Sequence, residues 1–255
     1  MSFTFPVVTF AKARMSERLS EIQADKNSPN SLSTKNSRGD LLSMFLKAKA
    51  DRPDFFHDGR VLTMVVSMSF AGSETTAISL ATVFYYLLRN PPCYHKLMDE
   101  IDAAIRNGDL EDHQSGLVTW AESQKLPYLD ACVKEAFRIH PAAGLPLERY
   151  VPAGGAEICG EHIAGGTIVG CNAWVIHRRP EVFGKDVDDY RPERWTEASK
   201  DARREMEATL FHFGAGARTC IGKNISLLEI YKLVPSFLRR FEVGVPVSVQ
   251  QGVWC

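Results

Sequence analysis

A glycine-rich segment near the end of the chain, residues 213–222, restricts the possible fold more than any other stretch. It reads Phe-Gly-Ala-Gly-Ala-Arg-Thr-Cys-Ile-Gly and precedes the last apolar, helix-like stretch. Gly214 and Gly216 allow the backbone to turn tightly and to approach a flat ligand, while Gly222 allows the next helix to pack close to the turn. The segment therefore predicts a tight turn that leads into a helix, with Cys220 at the helix entrance.

Cys220 has the surroundings of a metal ligand. Free backbone N–H groups and the positive end of the helix dipole favour the thiolate, which is the form that binds metals. Phe213 can pack beside the sulfur, and Arg218 can meet an anionic group at the edge of a bound cofactor. The alternative is a turn whose cysteine only fills space. Against it, all ten positions fit together, and they differ from the GxGxxG spacing of a dinucleotide loop.

The composition is that of an ordinary globular domain or a large piece of one. The 255 residues are 45% hydrophobic and 24% charged, with a formal net charge of -1. This balance gives no support to a nucleic-acid or membrane-surface partner. The six cysteines show neither CxxC pairs nor zinc-finger spacing, so we expect free thiols in a reducing compartment, most of them buried.

Helical patterns fill the first half of the chain. A loop rich in serine, asparagine and charge, residues 26–40, separates the first two helices. Asn90-Pro91-Pro92 ends the long third helix, because proline lacks a backbone donor and disfavours helical geometry at the preceding residue. The predicted helices cover residues 11–24, 41–50, 59 to about 90, 94–106 and 128–140.

Short β-type runs follow at residues 150–152, 157–159 and 167–169, separated by glycine pairs, and they predict a small sheet of hairpins. Residues 177–213 are charged, aromatic and interrupted by proline, which predicts an irregular meander. A last helix is predicted from just after Cys220 to about residue 241. The apolar residues expected on its buried face are Ile221, Ile225, Leu228, Ile230, Leu233 and Phe237.

The stretch from Val61 to Leu88 contains one charged residue, Glu74, over a length sufficient to span a bilayer. Many serine, threonine and glycine residues interrupt it, so we predict a long buried helix in preference to a transmembrane one. The first ten residues have the pattern of neither a signal peptide nor an anchor. We therefore expect no membrane segment in this chain.

Glu135 and Arg138 lie three residues apart and so face one side of the predicted helix 128–140. An isolated pair of this kind is usually a surface ion pair that contributes ~0–1 kcal/mol to stability. Here the neighbouring positions are apolar, which favours a buried pair. The charged and aromatic segment 190–195 is a candidate second partner.

Residues 71–75, Ala-Gly-Ser-Glu-Thr, place a glycine, an acid and a hydroxyl inside the long helix. A glycine there costs ~1 kcal/mol relative to alanine and so calls for a reason. One is close approach of a ligand; another is a local opening in which Thr75 bonds to the carbonyl of Ala71. Close helix packing with an ordinary buried threonine is the alternative, and the residues by themselves do not decide between them.

Together these motifs resemble the cytochrome P-450 family. Its iron-ligand segment has the form Phe-Gly-x-Gly-x-Arg-x-Cys-x-Gly, and residues 213–222 meet every fixed position. Glu135-x-x-Arg138, residues 190–195 and residues 71–75 resemble its Glu-x-x-Arg helix, its meander motif and its Ala-Gly-x-acid-Thr motif. The resemblance runs from about residue 40 to residue 241 and looks closest to fungal pisatin demethylase-like members. It implies the C-terminal portion of the cytochrome P-450 fold, mainly α with a small β component.

The resemblance implies heme b, iron protoporphyrin IX, as cofactor and Cys220 as the metal ligand. It assigns proton delivery to dioxygen to Thr75 and Glu74. It also implies a buried triad of Glu135, Arg138 and Arg194 that holds the ligand loop against the core. Arg149 matches a position that often meets a heme propionate, with a solvated arginine as the alternative. The other cofactor-binding positions it implies are Phe213, Gly214, Gly216, Arg218 and Gly222.

The activity implied is insertion of one oxygen atom from dioxygen into a small or medium apolar substrate, with electrons from an NADPH-dependent reductase. The alternatives are a heme-thiolate isomerase or dehydratase, and an inactive fragment, since the family's N-terminal half has no counterpart here. The intact family member is expected at the endoplasmic reticulum membrane, and this chain, without an anchor, in the cytoplasm. We expect one partial domain over residues 1–255: helices and a loop over 1–58, the heme-binding core over 59–241 and an atypical tail over 242–255.

Overall fold

A computed structural model describes residues 5–26, 39–111, 113 and 115–244. The chain divides into two compact units, residues 1–74 and 75–255. Helices dominate, and four short strands form two small sheets. This confirms the predicted fold class, mainly helical with a small β component. Much of the loop predicted at 26–40 and most of the tail predicted at 242–255 lie outside the described residues.

The first unit contains α1 (Pro6–Lys26), α2 (Leu41–Asp51) and the beginning of α3 (Asp58–Arg89). Its small core is centred on Met15, Leu46 and Val61, one residue from each helix. Asp40 caps α2 by accepting a hydrogen bond from the backbone N–H of Ser43. These helices match the predicted ones to within a few residues at each end.

Helices α4 (Pro91–Arg106), α5 (Trp120–Ser123) and α6 (Pro127–Ile139) belong to the second unit. Both α4 and α6 start with proline, which suits the first helical turn because its missing N–H has no partner there anyway. Helix α6 is buried along most of its length and lies in the main hydrophobic core. The buried side chains of α6 are therefore held by the core around them.

Two separate antiparallel pairs replace the single sheet expected from the sequence. Strand β1 (Leu147–Tyr150) pairs with β4 (Ile168–Cys171), and β2 (Ala156–Ile158) pairs with β3 (Glu161–Ile163). Cys159, with φ of 53°, and Gly160, with φ of 84°, join β2 to β3. Positive φ at both central residues is typical of a type I′ turn, which matches the twist of the strands.

The remaining elements are short, with two exceptions. Helices α7 (Ala173–Ile176), α8 (Pro180–Phe183) and α9 (Glu193–Glu197) precede α10 (Lys200–Thr209) and the last helix, α11 (Lys223–Leu238). Helix α10 was missed in the predicted meander, because Met206 is its only buried residue and no apolar stripe marks it. Helix α5 was also missed, although its capping box, Thr119 with Glu122, is visible in the sequence.

The burial expected for α3 and α11 was wrong. By length and composition, helix α3 is long and apolar enough to cross a membrane. Only 11% of its most apolar 18-residue stretch is buried, whereas the sequence predicted a buried helix. In α11, Ile230 is buried as predicted, but Ile221, just before the helix, is 92% exposed, and four other predicted residues are at least 38% exposed. The observed buried face instead joins Ile230 to Tyr231, Val234 and Leu238. Apolar spacing shows that a helix has a packing face, but not which of two apolar stripes finds a partner.

Candidate cofactor site

Backbone hydrogen bonds close the segment around Cys220 into a compact turn. The Cys220 N–H donates to the Phe213 carbonyl at 2.8 Å, and the Gly214 N–H donates to the Phe211 carbonyl at 2.9 Å. Gly214 and Gly216 have φ of 69° and 63°, in the left-handed region that glycine adopts without strain. The tight turn predicted at both glycines is therefore confirmed, and it leaves Cys220 exposed.

Gly222 differs from these two glycines, because its φ of -84° is one that any residue can adopt. A Cβ atom built on it would lie 3.8 Å from the Cys220 sulfur, in contact with the atom that would bind a metal. The preceding Ile221 is 92% exposed, although isoleucine is among the residues most often buried. Cys220 and the isoleucine beside it are thus both exposed, and Gly222 puts no side chain against the sulfur.

Two arginines lie on this turn or on the strand next to it. Arg218 lies in the 3-10 turn Gly216–Arg218, two residues before the cysteine. Leu147 of β1 reaches the turn, because its Cδ1 atom would lie 3.4 Å from a Cβ on Gly214. Arg149 projects from the same face of β1 as Leu147, since alternate residues of a strand share a face. Both arginines are exposed, and Arg149 also donates to the neighbouring Glu148 carbonyl at 2.6 Å.

Glu135 and Arg138 of α6 form a fully buried ion pair. The Nε and Nη2 atoms of Arg138 donate to the two carboxylate oxygens of Glu135, each at 2.9 Å. Arg194 of α9 donates from Nε to Glu135 Oε1 at 2.8 Å. The three residues named from the sequence are thus brought together, and Glu135 and Arg138 are 0% exposed.

The two arginines of this triad also bind the backbone of the segment between α7 and α9. Arg138 donates to the carbonyls of His177, Val187 and Asp189, at 3.1, 2.6 and 3.0 Å. Arg194 donates to the carbonyl of Asp186 at 2.9 Å. Most of this segment has no regular secondary structure to pair its backbone carbonyls. The two buried guanidinium groups pair four of them and so hold the segment in place.

The sequence reasoning missed two more donors to Glu135. The indole Nε1 of Trp195 donates to Oε2 at 2.9 Å, and the backbone N–H of Arg191 donates to Oε1 at 3.0 Å. Both belong to the segment 190–195 that was singled out for its arginines. A buried tryptophan needs a partner for its N–H, and this is the signal that could have indicated its role.

A buried histidine, His177, and a half-buried one, His212, lie near the turn and were also missed. His177 follows α7, and His212 immediately precedes Phe213 and stacks on the Phe137 ring with centroids 4.3 Å apart. Burial lowers the pKa of His177 to about 4 and that of His212 to about 3, so both are neutral near pH 7. Nothing in the sequence near either residue distinguishes it from an ordinary core histidine.

The segment 71–75 lies in an uninterrupted stretch of α3, and all five of its residues are exposed. A Cβ built on Gly72 would have no atom of another described residue within 4 Å, apart from the helix backbone nearby. Close helix packing therefore does not explain this glycine, and Thr75 is not a buried threonine. Within the second unit, the next residue, Thr76, bonds to Ser226 of α11 at 3.3 Å, so Thr76 lies beside the helix that follows Cys220.

These residues fit the heme that the resemblance implies. Cys220 is exposed beside an exposed isoleucine, and the exposed Arg218 and Arg149 carry positive charge that can pair with carboxylates. Among the described residues, no group of three or more His, Cys, Asp or Glu side chains is arranged to hold a metal ion. Cys220 would supply one ligand to a metal, and a porphyrin would supply others.

Comparison with known proteins agrees with this assignment. The profile of the family described as Cytochrome P450 matches residues 6–252. A "Cytochrome P450 monooxygenase" of Aspergillus terreus is 45% identical over 94% of this chain and 47% of its own length. "Cytochrome P450 monooxygenase cicH" of Emericella nidulans is 48% identical over 94% of this chain and 46% of its own length.

Pisatin demethylase of Fusarium vanettenii is also similar, 42% identical over 69% of this chain and 32% of its own length. The chain thus spans about half the length of the first two relatives. The profile covers nearly the whole chain, including the Cys220 turn, the Glu135 helix and the long helix α3. The chain therefore belongs to the cytochrome P450 family.

Proposed function

We propose that this chain provides the heme-ligating part of a monooxygenase that inserts one atom of dioxygen into a small or medium apolar organic substrate. The observation that carries the proposal is the accessible Cys220 sulfur in a turn closed by the bond from its N–H to the Phe213 carbonyl, at 2.8 Å. Members of the family bind heme b, and two of the relatives are named monooxygenases. When bound, heme supplies the iron at which dioxygen is reduced and split.

We assign binding of the cofactor to the turn and its neighbours. Cys220 would be the iron ligand, and Phe213, Gly214, Gly216 and Gly222 would shape the face that meets the porphyrin. Arg218 and Arg149 would pair with the two propionates, because guanidinium binds carboxylate through charge-assisted hydrogen bonds. The triad of Glu135, Arg138 and Arg194 would keep the turn in place from the buried side.

Thr75 and Glu74 would handle the protons that oxygen reduction consumes. A hydroxyl can donate a proton and be recharged by a neighbouring acid, which is the usual logic of a proton relay. The exposure of both side chains and the free space beside Gly72 support access of a ligand to this part of α3.

The electrons would come from an NADPH-dependent reductase, and the second oxygen atom would leave as water. We further propose that residues 1–255 form part of a single P450 domain and that the intact protein resides at the endoplasmic reticulum membrane.

The test is reconstitution of the chain with heme, followed by reduction and carbon monoxide binding. A red-shifted thiolate band is expected for the natural sequence and is expected to disappear in Cys220→Ser, while Cys171→Ser serves as a control because that cysteine is also exposed. Unchanged heme stoichiometry and spectrum in Cys220→Ser would refute the ligand assignment. Behaviour like that of free heme in the natural chain would favour the inactive-fragment alternative.

The isomerase or dehydratase alternative is tested by isotope labelling. Turnover under ¹⁸O-labelled dioxygen with a reductase should place the label in the product if the reaction is a monooxygenation. A product formed without the label and without external electrons would favour the alternative.

A further inference from the structure

His177 connects the end of α6 to the segment that leads into the Cys220 turn. Its side chain is 0% exposed. Its Nδ1 lies 3.0 Å from the Arg138 carbonyl oxygen, and its Nε2 lies 2.7 Å from the backbone nitrogen of Phe211. Because a carbonyl only accepts and a backbone N–H only donates, Nδ1 must carry the proton and Nε2 must be the acceptor. The two contacts therefore fix one neutral tautomer.

The bond to Phe211 continues into the turn itself. The Phe211 carbonyl accepts from Gly214 at 2.9 Å, and the Phe213 carbonyl accepts from Cys220 at 2.8 Å. On the other side, Arg138 donates to the His177 carbonyl at 3.1 Å while its own carbonyl accepts from the His177 ring. A continuous hydrogen-bond path thus runs from the buried triad through one imidazole to the cysteine.

We infer that His177 is a positioning residue that holds the Cys220 turn against α6 through this single neutral tautomer. The inference rests on the proposed function, since Cys220 is the ligand being positioned. His177 does not touch the sulfur, so its effect on the metal site passes through the backbone of Phe211 and Phe213.

The charges around the imidazole agree with a neutral ring. Arg138 from α6 and the adjacent Arg178 both oppose a positive charge on it. From the segment before the turn, the His212 ring lies with its centroid 6.3 Å away, and the Phe183 ring of α8 lies 6.4 Å away. A proton added at Nε2 would also remove the acceptor that the Phe211 N–H needs, so acid should release the turn.

Two substitutions separate the two contacts. Glutamine places an acceptor near the position of Nε2, so His177→Gln should retain the bond from Phe211. Asparagine places a donor near the position of Nδ1, so His177→Asn should retain only the bond to Arg138. His140→Asn is the matched control. His140 is the C-cap residue of α6, the helix that carries Arg138, but its ring bonds to Thr82 at 3.2 Å and not to the segment before the turn.

The first measurement is hydrogen exchange of the backbone amides of residues 211–220, with and without heme. Loss of one hydrogen bond corresponds to about fivefold to tenfold faster exchange. This increase is expected for His177→Asn and not for His177→Gln or His140→Asn. Equal exchange in the two His177 variants, or an unchanged rate in His177→Asn, would overturn the inference.

The second measurement is the pH dependence of the natural chain, with His177→Gln as the comparison. After correction for intrinsic exchange, lowering the pH from 7 towards 4 should speed exchange in 211–220 and diminish the thiolate band, and His177→Gln should be less sensitive. A flat profile in the natural chain would count against the inference. Because exchange is also measured without heme, failure to bind heme would refute the proposed function, while the exchange rates would still decide whether His177 holds the turn.

Discussion

Replacing Arg138 tests whether the buried network holds the Cys220 turn or whether helix packing alone suffices. The Arg138 side chain is 0% exposed and donates two hydrogen bonds to Glu135. It also donates to the backbone carbonyls of residues 177, 187 and 189. Arg138→Ala removes all of these contacts at once and leaves the rest of α6 unchanged.

The expected loss follows from burial. Breaking a buried ion pair by removing one partner typically costs ~3–5 kcal/mol, because the other charge stays uncompensated. Arg194 and Trp195 continue to donate to Glu135, which lessens that loss, while three carbonyls lose a donor, which adds to it. We expect a decrease of about 4 kcal/mol in the free energy of unfolding, a large part of the ~5–15 kcal/mol typical of a domain.

Urea unfolding followed by tryptophan fluorescence measures this loss. With a slope of about 2 kcal/mol per molar urea, the midpoint should fall by about 2 M. Lys134→Ala is the matched control, since Lys134 lies on the same helix and forms ion pairs with Asp130 at 2.8 Å and Glu207 at 2.7 Å. Those pairs are partly exposed, so the control should lose at most ~1 kcal/mol.

The reasoning fails if Arg138→Ala and Lys134→Ala shift the midpoint equally. It also fails if Arg138→Ala is purified with full heme content, since the turn would then keep its geometry without the network. A large loss of unfolding free energy in Arg138→Ala, with a small loss in Lys134→Ala, would show that burial of the ion pairs, and not their number, determines how much they stabilise the fold.

Two further predictions concern other buried polar groups. Burial opposes ionisation of Glu122, but hydrogen bonds from Thr119, the Glu111 N–H and His113 outweigh it and lower the pKa to about 2. Unfolding free energy should therefore fall by about 1–2 kcal/mol between pH 4.5 and 2, and Glu122→Gln should lose that slope; equal slopes would contradict it. Trp195→Phe removes one donor to Glu135 and should cost about 1 kcal/mol in urea unfolding. A neutral result there would mean that Arg194 alone satisfies the carboxylate.

Local signals were sufficient for most of the helices and for the turn. Proline at the start of α4 and α6, and the proline pair after Asn90, act on the residues next to them and need no distant partner. The glycines of the turn work in the same way, because a positive φ is a property of the residue itself. For this reason the sequence by itself predicted where the chain turns and where Cys220 stands.

Distant contacts could not be predicted in this way. Which apolar stripe of α11 is buried depends on the helices that pack on it, and Ile230 alone was correctly placed among six candidates. Helix α10 has too little apolar surface to be recognised, so its existence depends on local capping and on Met206 meeting the core.

The triad shows the boundary between the two kinds of information. Spacing along one helix pairs Glu135 with Arg138, and the resemblance added Arg194. Only the tertiary structure brings Trp195 to the same carboxylate and His177 between Arg138 and Phe211. The physical reason is that a buried charge or imidazole takes its partners from whatever backbone and side chains the fold brings within hydrogen-bond distance, and no periodicity in the sequence encodes that distance.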